Sequence, residues 1–513
     1  MLGGYGRRRG PAVAGGIAGL LALGACTVGP DYVKPDAPVP IAYKEAWRPG
    51  PTERGWGPAR PADGIDRGAW WSIYRDPVLD GLERQIDISN QNLKAAEAAY
   101  REAEATVTAA RAQFFPTGRL TGSDTRARSS GNSAPQAGFS GGITSQFVTQ
   151  TSASWTPDLW GSVRRLVEEN TSTAQASAAT LANVRLSAQG TLATAYVELR
   201  VADELARLLD ASVKAFSQAL KITQSQFRGG TTDQSAVHQA QAQLDATRAQ
   251  LIAVGVTRGQ LEHSIAVLIG RPPAALTIAP TPTMLDVPLV PFEMPSALLQ
   301  RRPDIAASER DVQAANAQIG VDVAAFYPTV TLTASQGVQS EMFRKLFTEP
   351  SRIWSLGSSF AETVFDGGAR NAQLEHDKAA YDETVANYRQ TVLAAFQQVE
   401  DELVAERVLA EEAVAQDSAV KAARQAEATI NNQYLAGTQA YTAVIVAENT
   451  ALADAETAVN LRQSRLVASV ALIEALGGSW DASQIPSDDQ IKSAVPLNFN
   501  PLPPIIPPAD PKK

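Results

Sequence analysis

Residues 192–220 read LATAYVELRVADELARLLDASVKAFSQAL. Leu192, Ala195, Leu199, Ala202, Ala206, Leu209, Val213, Phe216 and Leu220 step by three and four residues without a miss. That spacing is a heptad seam, so the stretch predicts one long helix packed on neighbouring helices. The seam lies in a run without proline from Asp158 to Arg271, and a second such run extends from Ser351 to Ile485. All 31 prolines fall elsewhere. Because proline breaks helix interiors, the two runs are where long helices can exist. Phe227-Arg228-Gly229-Gly230 in the first run and Tyr434-Leu435-Ala436-Gly437 in the second signal a turn. The chain therefore reads as two very long helical hairpins.

The hairpins are copies. Gly161 and Gly367 stand 206 residues apart, as do Arg164 and Arg370. Gly230 and Gly437 stand 207 apart, as do Gly270 and Gly477, and Phe115-Pro116 matches Tyr327-Pro328 at 212. Fixed self-similarity of this kind sets an architecture. The first long helix is expected from about 162 to 227, roughly 95 Å at 1.5 Å per residue. Val237, Ala240, Leu244, Leu251, Val254, Leu261, Ile265 and Leu268 continue the register on the returning arm, with Thr247 and Arg258 as interruptions. In the second copy Tyr381, Val385, Tyr388, Val392, Ala395 and Val399 repeat the pattern. A short helix is expected from about 78 to 113, stopped by Phe114-Phe115-Pro116.

Between short and long helix the texture changes. Thr329–Ser335 and Trp354–Phe360 alternate strictly, with Arg119–Thr125 and Ser145–Trp155 as first-half equivalents around a Gly/Ser-rich loop at 129–142. Alternation over about ten residues suits a membrane β-barrel strand; a short soluble hairpin is the plain alternative. Four strands close no barrel, and an open edge cannot sit in lipid. If the strands span a membrane, several chains share one barrel.

Composition limits the rest. Aromatics are 6% and charged residues 19%, which favours slender coiled packing over a thick core. Net charge is -9, and no basic stripe interleaved with aromatics is present, so nucleic acid is not an expected partner. Arg7-Arg8-Arg9, an apolar stretch at 11–23 and Leu23-Gly24-Ala25-Cys26 read as a lipoprotein signal peptide, with Cys26 the lipidated first residue. Cys26 is the chain's one cysteine, which excludes internal disulfides. No other apolar run is long enough for a spanning helix. Gly138-Phe139-Ser140-Gly141-Gly142 matches a nucleophile-elbow pattern but sits in a loop, without its strand and helix. His238, His263 and His376 lack metal-ligand spacing, and no P-loop or dinucleotide fingerprint occurs. No catalytic residue, metal site or cofactor is expected beyond the covalent lipid on Cys26.

Cys26-Thr27-Val28-Gly29-Pro30-Asp31-Tyr32, Trp70-Trp71, Asp158-Leu159-Trp160-Gly161, Leu299-Gln300-Arg301-Arg302-Pro303-Asp304-Ile305, Phe326-Tyr327-Pro328-Thr329 and Phe365-Asp366-Gly367-Gly368 together resemble outer-membrane efflux lipoproteins of the NodT type, relatives of the TolC channel. The resemblance covers residues 26 to about 480. It implies a homotrimer with a shared twelve-stranded β-barrel in outer-membrane lipid and a periplasmic α-barrel tunnel. It also implies a periplasmic adaptor and an inner-membrane resistance-nodulation-division pump as partners, with small molecules passing to the exterior.

The expected organisation is a signal peptide at 1–25, an extended leader at 26–77, a first repeat at 78–270, a linker at 271–294, a second repeat at 295–478 and a Pro-rich tail at 479–513. Gly229, Gly230, Asp233, Gly437, Gln439 and Tyr441 lie at the far hairpin ends, the candidate docking and gating tips. A helix cap is the plainer role for Asp233 and the glycines. Family members often ring the closed tip with aspartates. Here Thr438-Gln439-Ala440-Tyr441 and Val446 stand there instead, so closure through Gln439 and Tyr441 is the substitute. Phe115, Pro116, Tyr327 and Pro328 are the candidate helix-to-barrel transition. Two other functions compatible with the residues are a lipid-anchored coiled-coil scaffold without a channel and the exit duct of a protein secretion system.

Overall fold

A computed structural model describes residues 27–45, 69–128, 130, 143–281, 284–288, 290 and 299–499. Cys26, the signal peptide, the Gly138–Gly142 motif and the end of the tail lie outside the described residues.

After a short 3-10 turn at Trp70–Tyr74 come α1 (Pro77–Ser89), α2 (Gln91–Ala112), β1 (Thr117–Arg128), β2 (Ile143–Trp155), α3 (Ser162–Arg228) and α4 (Gln234–Leu268). The second half holds α5 (Pro303–Ala324), β3 (Thr329–Ser340), β4 (Arg352–Ala361), α6 (Ala369–Leu435) and α7 (Tyr441–Ala475), followed by a short α8 (Asp488–Ala494). The duplication is strict in length. Helices α3 and α6 have 67 residues each, α4 and α7 have 35, α2 and α5 have 22, and β1 and β3 have 12.

Three expectations change. The long hairpins are lopsided, because α4 covers only the half of α3 nearest the turn. Along its other half α3 packs on α2 and α5. Second, residues 78 to 113 are two helices. Asn90 is extended (ψ 125°), caps Leu93 N at 2.9 Å and donates from its amide to Leu268 O at 2.7 Å. Helix α2 therefore starts afresh on the end of α4, and the two stack into a line nearly as long as α3. The second repeat makes the same joint, where Arg302 Nη1 donates to Ala475 O at 3.0 Å. Third, the partner of Gly161 is Gly368 rather than Gly367. These two residues are the left-handed N-caps of α3 and α6, with φ of 87° and 92°.

The two chain ends strap the outside. The described leader is extended. Val28 N donates to Trp160 O at 3.0 Å, Lys34 pairs with Glu309 at 2.9 Å, and Glu45 pairs with Arg407 at 2.9 Å. Ahead of the last prolines, Ser487 and Gln490 form a capping box for α8. Ile491 is fully buried there against Val107 and Ala174. The core is a set of thin clusters along the helices; the one at the first joint includes Trp70, Trp71, Leu192, Tyr196 and Ile265, and the one at the second includes Ile305, Tyr388 and Ala475. Two seam interruptions are explained. Thr247 is buried and donates to Gln243 O at 3.0 Å, while Arg258 pairs with Asp203 at 2.8 Å and Glu262 at 2.7 Å.

The strands form one antiparallel sheet ordered β1-β2-β3-β4. Both outer strands, β1 and β4, have a free edge within the chain. Among the described residues no helix is long and apolar enough to cross a membrane.

Candidate functional site

Register assigns every strand residue to a face, since directly paired residues point the same way. Leu332 lies opposite Trp155 and Ser358, Ala334 opposite Ala153 and Leu356, and Thr151 opposite Leu120. One face thus carries Leu120, Phe147, Ala153, Trp155, Val330, Leu332, Ala334, Trp354, Leu356 and Phe360, with Thr149, Thr151, Gln336 and Ser358 among them and Asp124, Arg126, Arg128 and Arg352 towards the end away from the helices. The other carries Arg119, Thr121, Ser123, Gln146, Gln150, Ser152, Thr331, Thr333, Ser335, Ser355 and Ser359, with Val148 and Ile353 its only large aliphatics. Trp354, Leu356 and Phe360 are 68–76% exposed in the isolated chain. Aromatics stand towards both ends of the apolar face: Trp155 and Phe360 near the helices, Phe147 at the far end, its ring 5.6 Å from that of Phe343. An apolar band on one side, bounded by aromatics and, at the far end, by charged residues, with a polar side opposite, is what a barrel wall between lipid and water requires. Lipid demands that its edges be paired.

The transition residues come together at the helix ends. Pro116 and Pro328 directly precede β1 and β3. Trp160 stacks on Tyr327 at 4.9 Å and donates from Nε1 to Pro328 O at 2.7 Å. Trp155 Nε1 donates to Phe114 O at 3.0 Å, and Phe115 meets Phe499 at 5.4 Å. At the start of each long helix an Arg–Asp pair fixes the entering chain: Arg164–Asp158 at 3.1 Å and Arg370–Asp366 at 2.7 Å.

The far turns lie at the opposite end of the long helices, about 100 Å away at 1.5 Å per residue. Gly230 and Gly437 have φ of 73° and 74°, with open space where a Cβ would stand, so conformation alone selects glycine. Gly229 does not share this need, being right-handed at φ −80°. Asp233 caps α4, accepting from Ala236 N at 3.0 Å and Ser235 Oγ at 2.6 Å. Ala440, its counterpart on α7, offers no side-chain cap. Gln439 is exposed. Tyr441 is only 6% exposed, its ring 5.3 Å from Tyr434 in a cluster with Phe216, Leu220 and Val444. Its contacts are thus inside the chain, between the hairpins, and not shared with Gln439.

Other polar contacts lie between and within the hairpins. Tyr434 Oη donates to Gln226 Oε1 and lies 3.5 Å from Thr223 Oγ1. Glu448, 9% exposed, is buried beside this cluster. Further up, Arg200 and Asp203 are buried and paired at 3.2 Å, and Asp203 also accepts from Thr281 N at 3.0 Å. Among the described residues no acid, cysteine or histidine group has a metal-holding arrangement.

Comparison with known proteins fits this geometry. A model of the family described as outer membrane efflux protein matches the chain twice, over residues 83–271 and 294–478, one match per repeat. The probable efflux pump outer membrane protein TtgC of Pseudomonas putida is 30% identical over 465 residues, 89% of this chain and 93% of that protein. The pyoverdine export outer membrane protein OpmQ of Pseudomonas aeruginosa is 29% identical over 474 residues, 91% of this chain and 97% of its own. The solved outer-membrane channel OprN superposes with a TM-score of 0.80 at 27% identity, covering 88% of this chain and 99% of that one. With two matched repeats, a two-faced sheet and near-complete coverage of its relatives, the chain belongs to the outer membrane efflux protein family.

Proposed function

We propose that three copies of this chain form a passive exit duct, the outer-membrane channel of a tripartite efflux system. The observation that carries the proposal is the two-faced, open-edged sheet. Four strands from each of three copies give twelve, a closed wall without free edges. The helices continue the polar lumen as a tunnel into the periplasm. Export energy comes from an inner-membrane pump of the resistance-nodulation-division class. A periplasmic adaptor docks at the far turns, around Gly229, Gly230 and Asp233 and around Gly437 and Gln439. Cargo is a small molecule, as for the efflux and pyoverdine-export relatives, rather than a secreted protein. A scaffold without a channel leaves the apolar sheet face unexplained.

Cys26 carries the lipid. In support, Thr27 packs on Gly161, whose added Cβ would come within 2.7 Å of the Thr27 methyl. The chain therefore emerges one residue from the tunnel–barrel junction, level with the membrane surface. Several acyl chains there would hold the protein firmly, at about 0.8 kcal/mol per buried CH₂.

Planar-bilayer recording tests the duct. Discrete single-channel steps from the purified protein are expected. A protein that inserts stably yet passes no current, even with its far turns cleaved off, would be a scaffold.

A further inference from the structure

The repeat gives each residue of the second hairpin a counterpart 207 positions earlier, and at two places near the far turns the chemistry differs. Glu448 on α7 corresponds to Gln241 on α4, and Glu427 on α6 corresponds to Leu220 on α3. The second hairpin alone thus sets two carboxyl groups where the first has an amide and a leucine.

Glu448 lies two helical turns from Tyr441, between Val444 and Ala451, both buried. It is itself 9% exposed, and its Oε2 has no hydrogen-bond partner among the described residues. Helix α3 brings Phe216, Leu220 and Thr223 to this region, and no titratable group among these three. Helix α6 brings Glu427, with Arg424 beside it. Helix α4 brings Gln243, which donates to Asn449 at 2.6 Å, and an exposed Asp245 that pairs with Arg248 at 3.4 Å and accepts from Gln241 at 2.7 Å. On α7 itself the nearby titratable group is Tyr441. The charged neighbour that acts on Glu448 is therefore another acid.

We propose that Glu448 is the protonation switch of the far turns. When neutral it lets α7 seat on α3; when ionised it unseats α7 and loosens the end of the tunnel. This rests on the duct reading and adds its regulation. Burial first, and then Glu427, push the Glu448 carboxyl up to about 7. Exposed, it would return to its ordinary value of 4.5. The sign follows from linkage. A seated state that holds the proton more tightly is fully stable below pH 4.5 and loses stability as pH rises to about 7. The seated-to-unseated ratio falls about tenfold per pH unit across that window, about 300-fold in all per copy, and is flat above it.

The test uses the full-length protein in planar bilayers between pH 5.5 and 8, as wild type, Glu448→Gln and Glu427→Gln. Gln already stands at position 241, so the first variant keeps a side chain this fold accepts. Wild-type open probability should climb with pH and level off near 7. Glu448→Gln should stay shut-biased and flat, and Glu427→Gln should move the midpoint to lower pH. Identical profiles for wild type and Glu448→Gln would overturn the proposal. Hydrogen exchange over 434–448, corrected for intrinsic rates, separates the two readings. If no variant conducts but exchange rises with pH in wild type and not in Glu448→Gln, the duct fails and the switch stands. Exchange equally flat in both overturns the switch.

Discussion

Leu356 and Ser355 are adjacent in sequence and opposite in environment, which makes them a sharp test of the sheet. Leu356 sits mid-strand on the apolar face, opposite Ala334, and is 76% exposed in the isolated chain. Ser355 points the other way, its Oγ 2.7 Å from Ser335 Oγ across the polar face. Arginine at 356 would enter hydrocarbon near the bilayer midplane, at a cost of about 2–4 kcal/mol per copy, or about 6–12 kcal/mol for a barrel with three. Arginine at 355 would enter water, with a stability change within about 0.5 kcal/mol. It would still place three added positive charges in the lumen. The assay is urea unfolding of protein refolded into lipid vesicles, read by tryptophan fluorescence, with single-channel current on the same samples. Leu356→Arg should fold poorly or unfold at much lower urea. Ser355→Arg should fold normally and carry less cation current. Equal stabilities, or the reverse order, would refute the assignment of faces.

Three further outcomes are expected. Asp203→Ala should strand the buried Arg200 and the nearby Arg258, which pair with it at 3.2 and 2.8 Å. Thermal unfolding should show a loss of about 3–5 kcal/mol. Gly477→Ala should be costlier than Gly437→Ala. Both have positive φ, but only at 477 would the Cβ meet backbone, 2.0 Å from Arg301 O. Scanning calorimetry should show about 1–2 kcal/mol lost at 437 from backbone strain alone and more than that at 477. Cys26→Ala should remove the acyl mass from the N-terminal peptide in mass spectrometry and reduce the share of the protein pelleting with outer membrane.

The long elements were legible because local signals mark their ends. The seam from Leu192 to Leu220 and the glycines at 161 and 229 placed the first long helix within a residue of Ser162–Arg228. The break at Asn90 was not legible. Asparagine does not interrupt the Ile86–Leu93 pattern, and the carbonyl that engages it belongs to Leu268, 178 residues away. The α8 turn was hidden by surrounding prolines, although Ser487 and Gln490 carry a cap signature. Strand alternation was visible, but which face is apolar across the whole sheet emerged only from register, since β1 alone offers a single Leu120. At the far turns the glycines and the Asp233 cap were readable. The roles of Tyr434, Tyr441 and Glu448 were not, because each depends on packing between hairpins more than 200 residues apart in the chain.

A channel of this kind requires three copies of the chain. Native mass spectrometry of the protein released from bacterial membranes into detergent should give three times the mass of one mature chain. A folded single copy holding its four-stranded sheet in the micelle would contradict it.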